Sequence, residues 1–66
     1  MIRETWCIIS ENSFDETDHF NDALRIARTL VLEGQTGEPI CIEHRGRVIR
    51  QMVLLPGGNI AEQEIE

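Results

Sequence analysis

The clearest hydrophobic pattern in the chain lies in residues 18–34, DHFNDALRIARTLVLEG. Apolar side chains fall at Phe20, Ala23, Leu24, Ala27, Leu30 and Val31. Steps of three and one keep them on one stripe of a helix with 3.6 residues per turn. Asp22, Arg25, Arg28 and Glu33 fall off the stripe, Ile26 flanks it, and Leu32 points nearly away. Asp18 or Asn21 can cap the N-terminus, because a short side-chain oxygen accepts a hydrogen bond from a free N–H of the first turn. Gly34 is expected to end the helix in the left-handed conformation. A stripe this wide needs a surface to lie against, and one helix does not supply it.

The other apolar segments read as strands. Residues 5–10, TWCIIS, are β-branched and aromatic, with apolar groups on both faces. Residues 11–17 read as a loop in which Phe14 folds back on the core near Phe20. Residues 38–43, EPICIE, form a second strand, with Pro39 at its start. A hairpin turn at residues 44–47, with Gly46 at positive φ, leads to a third strand over 47–55. With Arg45-Gly46 as the loop pair, His44 faces Arg47, Glu43 faces Val48, Ile42 faces Ile49, Cys41 faces Arg50 and Ile40 faces Gln51. Ile40, Ile42, Ile49, Val53 and Leu55 then share the face that takes the helix. The opposite face carries Cys41, Val48, Met52 and Leu54, with Glu43 and Arg50 among them. Asn59 with Glu62 resembles a capping box, so residues 59–66 read as an acidic tail that could form two helical turns. The expected fold is α+β: a β-α-β-β domain over residues 1–58, with a three-stranded, mainly antiparallel sheet, one helix on one face and a short C-terminal tail.

The helix spacing DALRIARTL followed by the hairpin GEPICIEHRGRVIRQ resembles small bacterial and phage domains of unknown function. In those domains an xAxxxAxxL helix precedes a hairpin with a charged residue and glycine at its tip. The resemblance covers residues 23–51. It implies the fold and a habit of self-association or partner binding, and it brings no catalytic residues. Two strands before the helix are usual in such domains, where this reading finds one.

Composition narrows the classes. A chain of 66 residues makes one domain with a thin stability margin, for which a second subunit is a common staple. Cys7 and Cys41 are too few for a secreted disulfide framework and suit a reducing compartment. The chain shows neither a signal peptide nor the roughly 20 apolar residues of a membrane span, so it reads as soluble and cytoplasmic. Twelve carboxylates stand against six arginines, with no lysine, for a formal charge of −6. That balance argues against unspecific binding to nucleic acid or anionic membrane. It fits a basic partner, or simple solubility.

Candidate chemistry is sparse. Cys7, His19, Cys41 and His44 are zinc-ligand types, but their spacing gives no two close pairs. Their simpler reading is a buried cysteine in each strand and a surface histidine, with no metal or other cofactor. Neither cysteine adjoins a helix N-terminus that would activate it, and Gly57-Gly58 lacks the lysine and serine of a phosphate loop. Arg45, Arg47 and Arg50, with His44, form the one basic cluster and could contact phosphate. The plainer alternative pairs Arg50 with Glu43.

The leading expectation is therefore a non-enzymatic, acidic protein-interaction module. It would be an inhibitor or adaptor of phage or mobile-element type, such as an anti-CRISPR-like factor, meeting a basic protein surface. Glu11, Asp15, Glu16, Asp18 and Asp22 would present the charge together at the strand-to-helix turn. Cys41, Val48, Met52 and Leu54 would form a homodimer interface. The alternatives are a nucleic-acid or phosphate contact through the Arg45–Arg50 hairpin, and an uncharacterised metal-dependent or cysteine enzyme.

Overall fold

A computed structural model describes residues 4–11, 13–34 and 37–65. The expected turn residues Asn12, Gln35 and Thr36 lie outside them. The elements run β1 (Trp6–Ile9), β2 (Phe14–Thr17), α1 (Phe20–Glu33), β3 (Ile40–His44), β4 (Arg47–Leu54) and β5 (Ile60–Glu64). The strands form one antiparallel sheet in the order β2-β1-β3-β4-β5. This corrects the expected three-stranded sheet: among the described residues there are five strands, two of them before the helix, and the α+β class with one helix stands.

The two added strands come from the segments read as a loop and a tail. At the β1–β2 turn the Ser10 N–H donates to the Ser13 carbonyl at 2.9 Å, and the two serine hydroxyls bond each other. The chain reverses again after β4, where Gly57 and Gly58 take positive φ and the Leu55 N–H donates to the Asn59 carbonyl at 2.8 Å. Asn59 thus closes a hairpin instead of capping a helix. β5 pairs Leu54 with Ile60 and Met52 with Glu62. Arg28 of α1 reaches Glu62 at 3.4 Å, and Arg50 reaches Glu64 at 3.3 Å.

The helix lies where its stripe puts it. Ala23, Ala27 and Val31 are buried against Ile8, Ile40, Ile42 and Met52. Leu32 is 59% exposed, as its position off the stripe requires. The helix ends differ from expectation. His19 is the N-cap residue and makes no side-chain capping bond. The Thr17 hydroxyl instead accepts from the His19 N–H at 3.4 Å. Gly34 is extended, at φ −89°, not left-handed. Glycine is favoured there by space, since a Cβ would stand 3.1 Å from the Leu30 carbonyl oxygen.

The β3–β4 hairpin holds the main register finding. Arg45 and Gly46, at φ 54° and 77°, form the two-residue loop. His44 faces Arg47 and Glu43 faces Val48 as expected. A bulge then intervenes, and Ile42 faces Arg50, Cys41 faces Gln51 and Ile40 faces Met52. The extra residue is Ile49, and a one-residue slip turns every later side chain of β4 to the other face. Met52 is fully buried under the helix, and Leu54 packs against the same core. Neither can belong to an interface on the open face, which keeps Cys41 and Val48 of the expected four and gains Gln51 and Val53.

Candidate interaction surface

Cross-strand partners share a face, so the register fixes what each side of the sheet displays. On the helix side one row runs Thr17, Trp6, His44, Arg47. The Trp6 and His44 rings stack at 4.5 Å and 8°, and Trp6 meets Phe20 of α1 at 6.1 Å. Arg50 lies over the Phe20 ring at 5.4 Å. His44 is held at both nitrogens, with Nδ1 3.1 Å from the Thr5 carbonyl and Nε2 3.0 Å from the Glu4 carboxylate. Glu4 also takes the Arg45 guanidinium in a two-point ion pair. That hydrogen bond from Arg45, then the charges of Arg45 and His44, hold the Glu4 carboxyl below its ordinary value.

Among the described residues, no element covers the side away from the helix. One row crosses all five strands as Phe14, Ile9, Cys41, Gln51 and Gln63. Beside it runs Glu16, Cys7, Glu43 and Val48, and beyond Gln51 comes Val53 opposite Ala61. Phe14 is 58% exposed and Val48 36%, while Ile9, Cys7, Cys41 and Val53 are half-buried. Phe14 therefore does not fold back on the core. The cysteines, expected to be buried, sit on this open face. Both thiols are free. They are diagonal neighbours on adjacent strands, at a separation of roughly 7–8 Å that exceeds disulfide reach. Desolvation, then the charges of Glu16 and Glu43, push the Cys7 thiol up. That is the reverse of an activated nucleophile.

The five carboxylates expected together are spread out. Asp15 and Glu16 lie on edge strand β2 and point to opposite faces, Asp15 with Ile8 and Glu16 with Cys7. Glu11 is at the β1–β2 turn, at the far end of β2 from Asp18, roughly 15 Å away along an extended chain. Asp22 sits in the first turn of α1 and pairs with Arg25 at 3.2 Å. They therefore do not gather at one turn: β2 carries Asp15 and Glu16 on opposite faces, and Asp22 belongs to α1.

The basic cluster is likewise divided. Arg45 is tied to Glu4, and Arg50 to Glu64 and Phe20 instead of Glu43. Arg47 forms no ion pair among the described residues and borders an open cleft of about 370 Å³ with Val48, Ile49 and Ile65. The zinc-type residues separate too: Cys7 and Cys41 on the open face, His44 on the helix side, His19 exposed before α1. Among the described residues, no three His, Cys, Asp or Glu side chains converge as metal ligands. No helix is long and apolar enough to cross a membrane among those residues.

Sequence reasoning missed Ile9, Phe14, Glu16 and Val53 as neighbours on one surface. The signal available was the Ser10–Ser13 turn chemistry between two short extended runs. No family model, curated protein or solved structure matches the chain.

Proposed function

We propose that the protein is a non-enzymatic interaction module that binds a basic protein surface, as a small inhibitor or adaptor does. The distribution of its charges carries this reading. Arg25, Arg28, Arg45 and Arg50 each engage a carboxylate. Glu11, Asp15 and Glu16 engage no cation among the described residues. The charge left for a partner is therefore mainly negative: Glu33, Glu38 and Glu43 add to it elsewhere, and Glu11, Asp15 and Glu16 concentrate it along the β1–β2 hairpin. Such charge acts collectively, speeding encounter with a positive surface in a salt-dependent way. The likeness of residues 23–51 to small bacterial and phage domains suits an inhibitor or adaptor of that setting. Contact with nucleic acid through Arg45, Arg47 and Arg50 is the weaker reading, because two of those guanidiniums already hold carboxylates.

The test is capture from an extract of the source cell, at low and at high salt. It compares the native chain, Asp15→Lys with Glu16→Lys, and a control, Glu33→Lys with Glu38→Lys, that changes equal charge at the other end of the helix. A basic protein should be retained by the native chain and the control, and about tenfold less by the β2 variant. Equal retention by all three, or retention of nucleic acid in place of protein, refutes the proposal.

A further inference from the structure

The open face of the sheet is more specific than an acidic edge. Cys7 and Ile9 of β1 form its floor, with Phe14 on one side and Cys41 on the other. Glu16 and Glu43 flank Cys7 on the two neighbouring strands. Two strand spacings separate those carboxylates by roughly 10 Å. A helix with its side chains measures about 10–12 Å across. The face thus offers an apolar track one helix wide, with a carboxylate on each bank.

Resting on the reading above, we infer that this face docks an amphipathic helix of the partner, lying along β1, with an apolar stripe flanked on both sides by arginine or lysine. Charge complementarity selects that occupant. No arginine of the described residues stands on the face. Arg25 and Arg28 are on α1, Arg47 and Arg50 share rows with His44 and Ile42 on the helix side, and Arg45 is at the turn. A second copy would bring Glu16 and Glu43 of both chains into one buried layer without a counter-charge, and an unpaired buried charge is strongly disfavoured. A cationic helix neutralises both carboxylates and covers the apolar floor. It also completes a helix–sheet–helix sandwich, in which both sheet faces are buried.

The probe is a synthetic peptide about five turns long, with a leucine stripe flanked by arginines, glutamine on its far side, and a fluorophore at one end. Anisotropy reads binding, and methyl NMR reads the place. The native chain should bind it with intermolecular NOEs from the peptide leucines to the Ile9 methyls and the Phe14 ring. Glu16→Gln with Glu43→Gln should weaken binding about tenfold, as should scrambling the peptide at constant composition. If the charge variant does not fold, the NOE map of the native chain decides alone. Binding with NOEs to Leu24 or Leu32 of α1 overturns the docking face and leaves the basic-partner reading standing. No binding of the striped peptide at low salt overturns the docking inference, and the capture experiment decides the basic-partner reading separately. A dimer of the free chain with intermolecular NOEs on Ile9 and Val53 assigns the face to a second copy and overturns the inference.

Discussion

Replacing Met52 by alanine tests the bulge on which the whole sheet assignment depends. Met52 is 0% exposed, stands opposite Ile40, and belongs to one cluster with Ile8, Ile42 and Val31. Truncating a buried methionine to alanine costs about 2–5 kcal/mol, the larger values arising where neighbours cannot collapse into the space. The surrounding residues are largely β-branched and stiff, so a value of about 3–4 kcal/mol is expected. A domain of this length is stable by roughly 3–10 kcal/mol in all. The variant should therefore lose a third or more of its stability. With a urea slope of about 1 kcal/mol per molar for so small a chain, the midpoint should fall by about 3 M. Val53→Ala, half-buried on the open face, should cost about 1 kcal/mol or less. Met52→Leu conserves volume and should stay within about 1.5 kcal/mol. Urea melts followed by circular dichroism measure all three. If Val53→Ala costs more than Met52→Ala, the unbulged register is correct and the faces of β4 are reversed.

Two further outcomes are expected. Glu4 has a folded-state value below its ordinary 4.5, chiefly through the Arg45 hydrogen bond, so its contribution is present above about pH 4.5 and is lost as pH falls through the folded value. The urea midpoint of the native chain should exceed that of Glu4→Gln at pH 7, and the gap should narrow as pH falls below the ordinary carboxylate range; an unchanged gap would refute the ion pair. Gly34→Ala should destabilise by about 1 kcal/mol because its Cβ meets the Leu30 carbonyl, whereas an ordinary glycine-to-alanine change at a compatible φ stabilises; a raised thermal midpoint would show that the last turn gives way freely.

The elements legible in the sequence were those with one buried face. The stripe of α1 and the paired runs of β3 and β4 announced themselves by period, and Arg45-Gly46 fixed the turn and its first two pairs. The register then failed at Ile49, because a bulge leaves no trace in periodicity beyond two adjacent apolar residues, Val48 and Ile49. β2 and β5 failed for a different reason. Each is an edge strand whose side chains are mostly exposed, so FDET and IAEQE carry no clean alternation. Their pairing is decided by backbone hydrogen bonds to β1 and β4, which any side chain permits. Misreading β2 as a loop also gathered Asp15, Glu16 and Asp18 into a cluster that an extended strand pulls apart.

The two outer strands of this sheet leave rows of backbone donors and acceptors at its rims, the usual template for end-to-end polymerisation. Asp15 and Glu16 guard the β2 rim with charge that no arginine of the described residues offsets, whereas Glu62 and Glu64 on β5 are held by Arg28 and Arg50. Two molecules that approach β2 rim to β2 rim bring like charges together. Repulsion is thus written into one rim and not the other, so strand addition meets less resistance at β5 than at β2.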